Sequence, residues 1–124
     1  MAFKLNSFQK LVKRDFKKQT LKMFGNDIKI IREGDRKEII LKCIINELSR
    51  KEVKKNYDIF ITNFENLSLN YIEISFDVDD WQEKFNSLPV VKEQYIINNR
   101  LFSVVNVLNN NYTFFTVLLE SIEV

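Results

Sequence analysis

The chain has 124 residues, 45% of them hydrophobic and 29% charged, with two glycines, one proline, one cysteine and no histidine. That balance suits one domain with a modest core and leaves little sequence for linkers. Without histidine the chain lacks the commonest general base and the commonest nitrogen ligand for metals, so most acid–base and zinc chemistry is disfavoured.

No run approaches the roughly 18 apolar residues of a membrane-crossing helix. Phe3 and Leu5 are not continued by an apolar stretch, so no secretory signal is expected. Cys43 is the single cysteine and cannot form an intramolecular disulfide; with no histidine to activate it, a buried, inert thiol is expected. A cytoplasmic origin follows as the expectation.

The net charge of +2 conceals an asymmetry. Lys4, Lys10, Lys13, Arg14, Lys17, Lys18 and Lys22 stand against Asp15 alone in the first 24 residues, giving +6 there and −4 over the remainder. Such polarity can orient a molecule against a charged partner or a neighbouring copy. The spacing predicts an amphipathic helix from Ser7 to Phe24, with Ser7 as its N-cap. Phe8, Val12, Phe16 and Met23 would form its inner face, with Lys10, Arg14, Lys17 and Lys18 opposite. Leu21 would project among the lysines, and Gly25 or Asn26 would end the helix in a left-handed conformation.

From Asp27 the period changes to that of strands. Ile28 and Ile30 alternate with polar residues, and Glu33-Gly34-Asp35-Arg36 reads as a turn. Glu38 to Leu48 is long enough for a helix, but Ile39, Ile40, Ile44 and Ile45 favour the second arm of a hairpin. Ser49-Arg50-Lys51-Glu52 fits a capping box. Tyr57 to Asn63 and Tyr71 to Val78 read as strands. In the latter, Ile72, Ile74, Phe76 and Val78 face one way and Glu73, Ser75 and Asp77 the other.

A short helix from Asp80 to Ser87 is predicted from the Asp80/Glu83 capping pattern and the Trp81/Phe85 spacing, stopping before Pro89. Tyr95 to Ile97 meets Leu101 to Val107 through a tight turn at Asn98-Asn99. Asn109-Asn110-Asn111 would turn into a last strand, Tyr112 to Leu119. The expected fold is α+β: an N-terminal helix on an antiparallel sheet, small barrel or sandwich.

Three constellations bear on chemistry. The basic helix face, Lys10, Lys13, Arg14, Lys17, Lys18 and Leu21, is the candidate docking surface; a solvated outer face and salt-sensitive phosphate contact are the competing readings. Asp77, Asp79, Asp80 and Glu83 form the densest acidic cluster, but no glycine turn suits a calcium loop, and helix capping explains the cluster better. Tyr57, Phe60, Phe64, Tyr71, Tyr95, Phe102, Tyr112, Phe114 and Phe115 could stack single-stranded bases, although core packing accounts for them more simply. No catalytic, cofactor-binding or metal-binding residue is assigned.

Taken in order, KMFGNDIKI after the helix, YDIFITNFENL after a loop, and LPVVKEQYIINNRLFSVVNVL across a tight turn resemble the small head–tail joining (neck or connector) proteins of long-tailed bacteriophages, the lambda-type joining family among them. The resemblance covers most of the chain, and Asn70 to Leu88 runs longer than the family pattern. It implies a non-enzymatic structural subunit of the virion neck, assembled in the bacterial cytoplasm as a ring. Its partners would be portal, adaptor or tail proteins, with packaged DNA nearby and no membrane or cofactor. Glu47 to Asn56 and Phe64 to Asn70 would be docking loops. A tail-terminator or tail-completion protein, or a small β-barrel that binds nucleic acid, is the alternative.

Overall fold

A computed structural model describes residues 5–48, 71–110 and 113–122. The expected capping box near Ser49 and the strand from Tyr57 lie outside the described residues, as do most of the two proposed docking loops and the Asn111–Tyr112 part of the last turn.

The N-terminal helix, α1, has three parts: α-helical Ser7–Asp15, a π-helical turn Phe16–Thr20, and α-helical Leu21–Phe24. Its N-cap is Asn6 rather than Ser7. The Asn6 side chain accepts from the Gln9 backbone N–H at 2.7 Å, and the Gln9 side chain accepts from the Asn6 N–H at 2.9 Å. This reciprocal box satisfies two donors that the first turn leaves free.

The π-turn corrects the predicted faces. Five residues of an ideal α-helix would place Leu21 about 140° around the axis from Phe16. The i→i+5 bond from the Leu21 N–H to the Phe16 carbonyl inserts one residue into the helical register. Leu21 therefore stands where residue 20 of an unbroken helix would, beneath Phe16. It is buried at 2% exposure, whereas Phe8 and Met23, expected inside, are 71% and 77% exposed. Phe16 stacks on Phe114 with ring centroids 4.4 Å apart.

The helix end also differs from expectation. Gly25 is extended (φ −82°, ψ 151°) and Asn26 already belongs to a strand. The glycine is required by proximity, because a Cβ there would lie 2.4 Å from the Leu21 carbonyl oxygen. Gly25→Ala is expected to cost about 1–3 kcal/mol, since backbone must move. Gly34→Ala, with nothing within 4 Å of its added Cβ, is the control and should change stability by less than about 0.5 kcal/mol. Urea denaturation of both variants checks the contrast.

Among the described residues six strands follow: β1 Asn26–Arg32, β2 Lys37–Leu48, β3 Tyr71–Asp77, β4 Gln94–Ile97, β5 Arg100–Asn110 and β6 Phe114–Ser121. They close into an antiparallel barrel of order β1-β2-β3-β6-β5-β4, sealed by the pairing of Ile30 with Ile97 and Arg32 with Tyr95. The expected α+β arrangement of a helix on an antiparallel barrel is thus observed. Closure removes the free edges that an open sheet exposes.

The first hairpin turns through residues 33–36, where Arg36 rather than Gly34 takes the positive φ. Asp35 holds this turn, bridging Arg32 and the Lys37 N–H, and these bonds keep its carboxyl well below the usual range. Asn98 and Asn99, at φ 52° and 64°, make the predicted two-residue turn between Ile97 and Arg100. β5 then runs through Asn109 and Asn110, expected in a turn, with a bulge between Val104 and Asn106 where it pairs with β6.

Between β3 and β4 lies α2, Val78–Phe85. Its N-cap is Asp77, whose side chain accepts from the Asp80 N–H; the predicted cap at Asp80 lies three residues too late. Asn86 closes the helix in the left-handed conformation, φ 59°. α2 lays Trp81 and Phe85 across one end of the barrel. Trp81 stacks on Phe76 at 4.4 Å and meets Phe85 at 4.8 Å and the edge of Tyr95 at 5.3 Å. The Arg32 guanidinium covers Phe85 and donates to the Ser87 hydroxyl at 2.8 Å. Ile30, Leu41, Cys43, Ile74, Phe102, Val117 and Leu119 fill the barrel behind this plug.

Two ionisable groups are locked neutral in that core. Burial pushes the Cys43 thiol from 9.0 up to about 12. Burial, with the hydrogen bond that the Tyr95 hydroxyl donates to Glu93 at 2.9 Å, raises the tyrosine as well. In alkali the unfolded chain loses these protons first, so it binds fewer protons than the folded chain and stability falls as pH rises above about 9. The slope approaches about 1.4 kcal/mol per pH unit for each group. Urea midpoints from about pH 8 to about pH 10.5 should fall, and Cys43→Ala should flatten the decline.

Candidate functional site

The basic helix is fastened to the barrel by charge. Lys13 Nζ lies 2.5 Å from Asp77 Oδ1 and 3.1 Å from Asp79 Oδ2. One helical turn on, Lys17 Nζ lies 3.2 Å from Asp80 Oδ1 and 3.9 Å from Asp77 Oδ2. Burial works against the Lys17 charge, but Asp77 and Asp80 outweigh it and hold the ammonium above its ordinary value.

Asp77 was expected to face solvent by strand alternation, yet its side chain is fully buried. The reason is local: the strand ends there, and the backbone swings into α2, turning the carboxylate into an N-cap. It then lies beneath α1, where two lysines meet it. Capping therefore accounts for part of the acidic cluster, and ion pairing with α1 for more. Among the described residues no group of three or more Cys, Asp or Glu side chains is arranged to hold a metal ion. None of the described helices is long and apolar enough to cross a membrane.

The clamp divides the predicted docking face. Lys13 and Lys17 point inward to their aspartates, and Leu21 is buried beneath the helix. Lys10, Arg14 and Lys18 remain outward and exposed. The structure adds residues the sequence reading left off this face: Lys22, Met23 and Phe24 at the helix end, and Phe8 and Leu11 nearer its start, all exposed. The only available signal was the density of the two charge clusters. A helix of +6 and the chain's strongest acidic cluster are natural partners, and pairing them would have removed Lys13 and Lys17 from the free surface.

Two grooves run along α1. One, about 670 Å³, is lined by Lys18, Gln19, Thr20, Lys22, Met23 and Phe24; the other, about 530 Å³, by Lys10, Lys13, Arg14, Lys17 and Lys18. The first places two apolar side chains beside two cations, which suits a partner with acidic residues around an apolar anchor. Neither groove presents a paired acid and base. Comparison with protein-family models, characterised proteins and solved structures finds no match to this chain.

Proposed function

We propose that this protein is a non-enzymatic assembly subunit of a phage or prophage virion, joining head and tail at the neck as a member of a ring. The observation that carries the reading is the outward face of α1. The helix is ion-paired to a closed barrel through Lys13 and Lys17, yet it leaves Phe8, Leu11, Met23 and Phe24 exposed along with Lys10, Arg14, Lys18 and Lys22. Large apolar side chains grouped with outward-facing cations are characteristic of a surface completed by another protein. Within a ring, the −4 remainder of the next subunit offers the complementary charge.

The test is joining of purified heads to tails in the presence of the protein. Met23→Glu with Phe24→Glu, and separately Arg14→Glu with Lys18→Glu, alter exposed positions and should leave the melting temperature within about 2 °C. Each pair is expected to reduce joining at least about tenfold, equivalent to about 1.4 kcal/mol of docking energy. Normal joining by both pairs would remove α1 from the interface. Binding to tail-tube protein instead of heads would place the subunit at tail completion. Salt-sensitive binding to DNA, lost in the Arg14/Lys18 pair only, would support the nucleic-acid alternative. The genes flanking this one offer an independent check: portal, capsid and tail-tube neighbours support the reading, and an isolated housekeeping locus contradicts it.

A further inference from the structure

The two ends of the barrel are built differently. α2 closes one with Trp81 and Phe85, whereas the other carries a cavity of about 140 Å³ lined by Ile45, Glu47, Ile72, Ile97, Asn98, Arg100 and Phe102. Strand register puts both charged residues on the interior rows. Glu47 pairs directly with Ile72 and Arg100 with Ile97, and cross-strand partners share a face. Ile72 and Ile97 belong to the core. In the closed order β1-β2-β3-β6-β5-β4, β2 and β5 stand opposite each other, three strands apart in either direction. A carboxylate and a guanidinium thus face one another across an apolar floor.

The interior row of a small barrel is filled by side chains, apolar here up to Ile45 on β2 and Phe102 on β5. Here it ends in opposite charges that are not ion-paired with each other, or with any other described residue. The Arg100 guanidinium rests over the Phe102 ring, 5.4 Å from its centroid, which holds its donors at the lip. A cavity of about 150 Å³ admits a benzene-sized group, so this floor accommodates an apolar body of about six carbons.

We infer that the barrel mouth is a binding site for a small zwitterion with an apolar body, of which a free apolar amino acid is the simplest. Arg100 takes the carboxylate through its two-pronged donor face, Glu47 takes the ammonium, and Ile45, Ile72, Ile97 and Phe102 take the hydrocarbon. The two charges select together: a ligand with only one leaves the opposite charge at the lip unmatched. This site lies on the barrel mouth and does not depend on the assembly role of α1.

The probes are leucine and aminocaproate, which bear both charges at short and long spacing, with caproate and hexylamine as single-charge controls. Binding is read from the methyl resonances of Ile72 and Ile97 in the full chain. A zwitterion should saturate these shifts at a concentration at least about tenfold below either control, and Arg100→Gln and Glu47→Gln should each weaken it about tenfold or more. Both substitutions are at exposed positions, so unchanged melting temperatures keep the result interpretable. Absence of saturable shifts with both zwitterions, equal binding of the single-charge controls, or affinity unaltered in both variants would each overturn the assignment.

Discussion

Asp77→Ala is expected to destabilise the protein by about 3–5 kcal/mol, among the largest effects of any single substitution here. The carboxylate is fully buried, caps α2 and lies 2.5 Å from Lys13, whose side chain is itself only 17% exposed. Its removal deletes a cap and leaves the lysine ammonium partly buried without its nearest counter-charge. Asp77→Asn separates these contributions, because the amide oxygen can still accept from the Asp80 N–H while the charge is gone. It should recover about 1 kcal/mol relative to Asp77→Ala, the ordinary worth of an N-cap.

Lys13→Met approaches the same clamp from the other side, leaving Asp77 to the more distant Lys17. The double variant Lys13→Met/Asp77→Asn should be distinctly less damaged than the sum of the singles, because no buried charge is then left without a partner. Urea denaturation followed by circular dichroism measures all four. Additive losses would show that the two side chains act independently. Lys17→Ala is a useful contrast: its side chain is 47% exposed, so a loss below about 1 kcal/mol is expected.

Trp81→Ala is expected to cost about 3–5 kcal/mol, since it empties the aromatic plug formed with Phe76, Phe85 and Tyr95. Trp81→Phe should be far milder. Among the described residues the buried Trp81 indole N–H has no hydrogen-bond partner, and an unsatisfied donor of this kind costs about 1–3 kcal/mol. Phenylalanine loses contact area but also removes that donor, so the terms oppose. A stability change of less than about 1.5 kcal/mol is anticipated. Since Trp81 is the sole tryptophan, the melts must be followed by circular dichroism rather than fluorescence. A Phe variant as damaged as the Ala variant would mean that ring size, not the orphaned donor, governs the site.

The strands were readable because barrel strands of this kind declare themselves locally. Ile72, Ile74 and Phe76 alternate with Glu73 and Ser75, and Asn98-Asn99 supplies the two positive φ values that a tight hairpin needs. The candidate site was less readable. Assigning Met23 to the core and Leu21 to the surface assumed an unbroken 3.6-residue period through Phe24, whereas Phe8 precedes the break and is exposed near the helix start. No residue type in FKKQT announces a π-turn. The turn lets Phe16 stack on Phe114, far away in sequence, while Leu21 is buried.

Composition, charge and periodicity were enough to establish a basic amphipathic helix, an antiparallel β-rich body, the buried cysteine and the Asn-Asn hairpin. Each depends on interactions within a few residues or on the alternation of one strand. Strand order depends on pairings between strands distant in sequence, and barrel closure and the pairing of Lys13 and Lys17 with Asp77 and Asp80 depend on groups more than sixty positions apart. Those choices are made by packing and by the cost of burying an unpaired charge, and neither is encoded in any local stretch. The candidate docking face of the helix is therefore part clamp, through Lys13 and Lys17, and part exposed surface, through Lys10, Arg14 and Lys18.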